Sequence, residues 1–378
     1  LNHSIYLHIP YCRRICPYCD FNKYVVKDIN EQEYVSALKT EYLYYKKKYK
    51  LNKITSIYFG GGTPSIFSTQ SIKKILDIFS FDQEAETTLE ANPEDLNEES
   101  IKEIINLGVN RISLGSQSLN DKYLNFLGRV HKRKDILNIC NIFEKLNFKN
   151  YNLDLIFGLP NQTIKELEVD IDDYLSLDLK HISAYQLTIE KGTEFNILKN
   201  NKKLFEINSD LKADMYQLIE DKLTTNNFNH YEVSNYSKAN YQSKHNSAYW
   251  SRENYLGLGA GACSMIENQR FSNINSINEY LNKIHLNKNA KIEQKKLTIK
   301  EQIYEELSLK LRTSKGINIK EFNSIYKIKI EDIFKQSLDN FLEHNLIKID
   351  NNFITPTKKG MMLVDSLILE LNIEDLEI

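Results

Sequence analysis

Residues 6–22 read Y-L-H-I-P-Y-C-R-R-I-C-P-Y-C-D-F-N, from Tyr6 to Asn22. Cys12, Cys16 and Cys19 stand in the spacing Cys-x3-Cys-x2-Cys, and they are three of the five cysteines in the chain. They follow directly on Ile5–Ile9, a short apolar run with the length of a strand. Three thiolates so spaced can converge on a single metal centre. A structural zinc site takes four protein ligands, usually from paired cysteines, and no second Cys pair or Cys/His cluster exists in the sequence. An iron–sulfur cube normally takes four thiolates, so three leave one iron with open positions where a ligand can bind. The plainer alternatives are a zinc loop or three unrelated thiols.

Outward from this stretch, short β-rich runs alternate with helical patterns. The strand runs are Ile5–Ile9, Ile54–Phe59, Thr87–Ala91, Arg111–Gly115, Tyr151–Phe157 and His181–Leu187. Helical periodicity falls near Glu31–Tyr45, Ser71–Phe79, Glu98–Leu107, Ile136–Leu146, Ile164–Leu177 and Asp210–Thr225. Six βα units predict a parallel sheet, as a full or partial (β/α)6 barrel, with the unusual residues collected just after each strand. From about Leu297 the texture changes to helices at Lys300–Leu311, Ile319–Tyr326 and Glu331–Glu343, short runs at Leu346–Asp350 and Asn352–Thr355, and a last helix near Lys358–Leu371. That order predicts a small winged-helix-like α+β domain. The expected division is a core barrel over 1–235, a motif segment and linker over 236–296 (the polar stretch Asn287–Lys296 being the linker), and the C-terminal domain over 297–378.

The 378 residues are 41% hydrophobic and 26% charged, with 49 Lys plus Arg against 51 Asp plus Glu. This is an ordinary globular composition, and no global field attracts nucleic acid or an acidic membrane. Lys358 and Lys359 make no basic stripe on the winged-helix-like domain, so nucleic acid is not an expected partner. No run approaches the roughly 20 apolar residues of a membrane span, and no signal peptide is visible. Clustered cysteines with Cys140 and Cys263 isolated do not form a disulfide framework, so the expected home is the reducing cytoplasm.

After the second strand comes Gly60-Gly61-Gly62-Thr63-Pro64, where glycines let the backbone approach a ligand closely. Glu90 ends the third strand in L-E-A-N-P-E. Gln117, Arg129 and Asp154 fall at or after the ends of later strands, and Asp154 puts a charge into the apolar run N-L-D-L-I-F. These phrases, with H-I-P-Y-C, R-I-S-L-G-S-Q-S, D-L-I-F-G-L-P and Y-L-G-L-G-A-G-A, resemble the radical S-adenosylmethionine (SAM) family. The likeness is to the subfamily of oxygen-independent coproporphyrinogen oxidase and the HemW-like heme chaperones, over nearly the whole chain. The resemblance implies a 4Fe–4S cluster on Cys12, Cys16 and Cys19, with SAM on the open iron. It further implies cofactor contacts at Tyr6, Tyr18, Gly61, Gly62, Thr63, Glu90, Gln117, Arg129 and Asp154, and at Thr188 and Cys263.

Three features separate the branches. The oxidase branch has a further Cys where this chain has Phe21, and a long segment before the first strand where this chain has almost nothing before Ser4. Lys244-His245-Asn246-Ser247-Ala248-Tyr249-Trp250 contains His-Asn-x-x-Tyr-Trp, a mark of the HemW-like branch. A neutral imidazole is a common axial ligand of heme iron, and Tyr249 and Trp250 could stack on a flat macrocycle. His245, Asn246, Tyr249 and Trp250 are therefore the candidate heme contacts. The expectation is a heme chaperone that delivers heme to an acceptor such as a respiratory heme protein, meeting membranes only through that acceptor. No residue is assigned a catalytic role. The enzyme alternative is anaerobic conversion of coproporphyrinogen III to protoporphyrinogen IX.

Overall fold

The structure, a computed structural model, describes residues 2–82, 84–286 and 289–373. Six parallel strands carry the architecture: β1 (Asn2–Ile9), β2 (Lys53–Gly61), β3 (Glu86–Ala91), β4 (Arg111–Gln117), β5 (Tyr151–Phe157) and β6 (His181–Gln186). All six runs expected from the sequence are strands. The connecting helices are Glu31–Tyr49, Thr69–Leu76, Glu98–Asn106, Arg133–Lys145 and Ile164–Leu175, with Ser209–Thr225 after β6. The first continues past Tyr45 because Lys46, Lys47 and Lys48 suit a helix C-terminus, and it stops at Lys50 in the left-handed conformation.

Alternation along each strand separates two faces. Ile5, Leu7, Ile57, Phe59, Leu89, Ile112, Leu114, Leu153, Leu155 and Ile182 join the main core beneath the helices, packed with Leu38, Ile72, Ile101, Ile139 and Ile171. The opposite face is polar: Ser56, Thr88, Arg111, Asn152, His181 and Ser183 are all buried. Tyr58, Glu90, Ser113, Asp154 and Tyr185, from five successive strands, line one cavity, so the sheet curls around it.

The barrel is partial. β6 is followed in the sheet by antiparallel β8 (Asn235–Ser237) and β7 (Asn229–Glu232). On its other side β1 pairs in parallel with β9 (Tyr255–Leu258), which continues into β10 (Cys263–Ile266), β11 (Gln269–Asn273) and β12 (Lys291–Lys296). β8 runs across the expected boundary at 235, and within the expected linker the stretch Lys291–Lys296 is instead β12 of the same twelve-stranded sheet. Asn287 and Lys288 lie outside the described residues. The sequence K-I-E-Q-K-K reads as linker because an edge strand is exposed on both faces, and lysines there discourage further pairing.

The C-terminal residues form a second core around Ile303, Leu307, Phe322, Leu338, Phe341 and Leu367. A three-stranded sheet of Ile317–Asn318, Phe353–Pro356 and Ile347–Asp350 completes it. Two expected helices are each broken in two, at Phe334 and at Leu363, where the backbone leaves helical geometry. This unit docks on the main sheet: Val233 N–H donates to the Arg312 carbonyl (2.9 Å) and Ser314 N–H to the Tyr231 carbonyl (3.0 Å). Among the described residues no helix is long and apolar enough to cross a membrane.

Glu41, fully buried, accepts from Gly259 N–H (3.0 Å), Tyr280 O–H (2.7 Å) and Asn273 Nδ2 (2.6 Å). Burial raises its carboxyl to about 7 despite those bonds. A raised acid binds its proton in the folded state first, so its contribution is fully present below the unfolded pKa and fades as pH rises through about 7. Compared with Glu41→Gln, the natural chain is expected to lose up to ~3 kcal/mol of relative stability between pH 5 and 8. Chemical denaturation of both proteins across that range checks this; parallel pH profiles would refute it.

Candidate functional site

The loop after β1 is fixed at both ends. Tyr24 N–H donates to the Pro10 carbonyl (2.7 Å), and Tyr11–Cys12 pairs with Tyr24–Val25. Asn22 Nδ2 donates to the carbonyls of Ala260 (3.1 Å) and Asn275 (3.0 Å). The Asn22 carbonyl accepts from His8 Nε2 (2.8 Å), which leaves His8 Nδ1 to accept from the Tyr6 hydroxyl (3.0 Å). Burial lowers the His8 pKa, in keeping with a neutral ring. The glycine turn stitches to the same loop: Gly62 N–H donates to the Ile9 carbonyl and Thr63 N–H to the Tyr11 carbonyl, both at 2.8 Å.

Cys12, Cys16 and Cys19 line a cavity of about 430 Å³ at the carboxyl ends of the strands. Thr63 Oγ1 lies 3.4 Å from Cys12 Sγ, and Arg129 Nη1 lies 3.4 Å from Cys16 Sγ. Burial raises the Cys12 and Cys19 thiols, and bound iron would reverse that by taking the thiolate. No three His, Cys, Asp or Glu among the described residues are placed to hold a single metal ion. Three thiols spread around one cavity fit a cube instead, in which each thiolate takes a different iron.

Nine expected cofactor contacts line this cavity: Tyr18, Gly61, Gly62, Thr63, Glu90, Gln117, Arg129, Asp154 and Thr188. Glu90 accepts from Tyr58 O–H (2.7 Å) and Gly61 N–H (3.2 Å), and burial raises its pKa. Asp154 accepts from Asn152 Nδ2 (2.9 Å); burial, with Glu90 adding to it, lifts its carboxyl to about 7. Arg129 donates to the Gly115 carbonyl (2.9 Å) and to Asn92 Oδ1, while its buried Nε has no partner. Gln117 has a positive φ of 67°, unusual for a residue with a side chain, at the β4 irregularity that turns it toward the cavity. Two raised acids, a buried cation and a strand-end amide make a polar chamber suited to a zwitterionic ligand beside the thiols.

Tyr6 and Cys263 do not line this cavity. They line a second one, of about 580 Å³, with Asn246, Tyr249, Trp250, Tyr255, Met265 and Leu309. The His245 ring sits behind its wall. His245 is buried, with Nδ1 2.7 Å from Ser56 Oγ and Nε2 2.9 Å from Tyr249 Oη, and it stacks on Tyr58 at 4.8 Å. Burial lowers its pKa to about 3, so the ring is neutral. Both nitrogens are engaged, and in this geometry the imidazole orients Tyr58 and Tyr249 instead of presenting a free ligand atom.

Sequence reading missed Tyr58, Asn22, Met265 and the arginines that brace the second cavity. Arg252 donates to the Tyr326 hydroxyl (3.1 Å) and Asn268 Oδ1 (3.0 Å) and pairs with Glu305 (3.3 Å) and Glu306 (3.5 Å), tying the cavity rim to the C-terminal unit. Arg270 pairs with Glu305 and donates to the Tyr255 hydroxyl (2.9 Å). The signal for Tyr58 was present in the alternation Ser56-x-Tyr58-x-Gly60, which marks the polar face of β2.

A three-thiol loop at the mouth of a partial parallel barrel, with a glycine turn stitched to it, is the arrangement of a radical SAM protein. The radical SAM superfamily model matches residues 6–174, and the HemN C-terminal domain model matches residues 297–363. Over 365 residues the chain is 37% identical to the heme chaperone HemW of Bacillus subtilis, covering 95% of this chain and 96% of that one. It is 34% identical to the heme chaperone HemW of Lactococcus lactis, covering 99% and 98%. The chain belongs to the HemW family of the radical SAM superfamily. Its fold is that of coproporphyrinogen III oxidase (HemN) from Escherichia coli, with a TM-score of 0.84 at 21% identity over 98% of this chain and 89% of that one.

Proposed function

We propose that this chain is a heme chaperone that binds heme in the second cavity and passes it to an acceptor heme protein, for instance a respiratory one. The observation that carries the reading is the placement of Asn246, Tyr249 and Trp250, from the His-Asn-x-x-Tyr-Trp helix, along a cavity adjoining the thiol-lined one. Aromatic side chains and Met265 offer a flat macrocycle an apolar bed. His245 holds Tyr249 in place through its Nε2 contact.

In this reading Cys12, Cys16 and Cys19 hold a 4Fe–4S cluster, and the chamber of Gly61, Gly62, Thr63, Glu90, Gln117, Arg129 and Asp154 holds SAM, with Tyr18 and Thr188 at its edge. The bound cluster supplies an iron with an open position. Arg129 offsets negative charge beside Cys16, and the glycine turn presents backbone groups to the cofactor. Supporting this assignment are the three-thiol donor set, the unpartnered Arg129 Nε and the carboxyls pushed up by burial. The residues over 1–235 and 297–378 act as cofactor core and cover, and a reducing compartment such as the cytoplasm suits the thiols.

The deciding experiment is an anaerobic optical titration of cluster-loaded protein with heme. A saturable change near one heme per chain is expected, weakened at least ~10-fold by Trp250→Ala, as for a central aromatic anchor. His245→Ala is expected to weaken it less, by loosening Tyr249. Absence of specific binding would defeat the chaperone reading. Formation of protoporphyrinogen IX from coproporphyrinogen III would move the function to oxidative decarboxylation.

A further inference from the structure

Phe21 occupies an unusual place. Three residues line both cavities, Phe21, Gly61 and Glu90, and only Phe21 among them brings a large apolar side chain. Its neighbours are fixed on both sides. Cys19 lies two residues before it in the thiol loop, and Asn22 is anchored by its bonds to Ala260, Asn275 and His8. Phe21 is 61% exposed, although a residue with so large an apolar side chain is more often buried. Nothing among the aromatic contacts of the described residues engages it, whereas Tyr6, Tyr18, Tyr58 and Tyr249 around it each make a ring contact with a neighbour, stacked, tilted or edge-on. An apolar ring held at its backbone and left uncovered at the boundary of two cavities is placed to meet whatever fills either one.

We propose that Phe21 is the partition between the two cavities, packing against the planar ligand of the second and linking its occupancy to that of the cofactor chamber. The inference rests on the heme reading of the second cavity. Its physical basis is contact: the backbone at Asn22 is already held, so what a ligand against the ring restricts is the rotation of the Phe21 side chain. A ligand in the thiol-lined cavity meets the same side chain, so the second ligand to bind finds its rotamer already selected. Coupling of this kind is reciprocal: each ligand changes the affinity of the other by the same factor.

The test uses the full chain with its cluster assembled, and two sets of anaerobic equilibrium titrations. Heme is titrated with and without saturating SAM, and SAM with and without saturating heme. The natural chain is expected to show equal coupling in both directions, on the order of 10-fold tightening. Phe21→Ala should still bind one heme per chain but bring the coupling close to one, and Phe21→Leu should fall between. Iron content is measured in every sample, so that a variant with a depleted cluster is recognised and the Leu variant carries the comparison. Coupling undiminished in both variants, or no coupling in the natural chain despite heme binding, overturns the proposal alone. No heme binding by the natural chain overturns the heme reading and the proposal together.

Discussion

Serine at position 16 is expected to abolish cluster assembly while leaving the fold intact. Cys16 sits half-buried on a loop and belongs to none of the three hydrophobic clusters, so its replacement by serine disturbs little apolar packing. On the proposed assignment it removes one of three thiols available to a cube that has no fourth Cys in the loop, together with the sulfur that Arg129 Nη1 faces at 3.4 Å. A hydroxyl is a far poorer ligand for iron than a thiolate. Anaerobically reconstituted Cys16→Ser should therefore carry well under one iron per chain, against about four for a complete cube. Its thermal midpoint without iron should match that of the natural chain. Cys263→Ser provides the contrast, because Cys263 is accessible but lines the second cavity, and it should retain the full iron content. Full iron in Cys16→Ser, or an equal loss in Cys263→Ser, would refute the assignment of the three loop thiols.

Gly62→Ala is expected to reach the same site without touching a thiol. A methyl group there would stand 2.6 Å from the Tyr11 carbonyl oxygen, 2.8 Å from that of Ile9 and 2.9 Å from the Pro10 carbonyl carbon. All three are backbone atoms and cannot rotate away. The two 2.8 Å bonds from Gly62 and Thr63 to the thiol loop would have to lengthen, and the Thr63 contact with Cys12 would go with them. Overpacking and two weakened hydrogen bonds together should cost roughly 2–4 kcal/mol, with iron incorporation falling in parallel. Gly108→Ala separates space from conformation: its φ is +100° but nothing lies within 4 Å, so about 1–2 kcal/mol of backbone strain and unchanged iron are expected. Denaturant unfolding and iron analysis read both variants. A Gly62→Ala protein with undiminished stability and iron would show that the turn does not position the loop.

Much of this was legible because local chemistry dictated it. The six strand runs are apolar on their helix-facing side, the turns carry Gly and Pro, and helix starts at Asn30, Ser68, Asn97 and Thr163 carry capping side chains. The chamber residues were legible by position, since strand ends in a βα barrel converge. Three things were hidden. The Lys291–Lys296 strand was masked by its own polarity, because edge strands need no apolar face. The division of Tyr6 and Cys263 into a second cavity depends on β9 pairing beside β1, a contact between residues about 250 apart. The burial of His245 followed from Ser56 and Tyr58, which lie far from it in sequence and close in space.

The two-faced strands have a consequence for how such proteins diverge. Folding free energy is drawn from the layer between strands and helices, whereas the lumen holds Ser, Thr, Asn, His and Arg that add little to it. Mutation can thus rewrite the lumen, the cavity rims and the ligand without disturbing what keeps the chain folded. A scaffold divided in this way can change its lumen while keeping its shape, which is how 21% identity and a TM-score of 0.84 coexist between this chain and coproporphyrinogen III oxidase (HemN) from Escherichia coli.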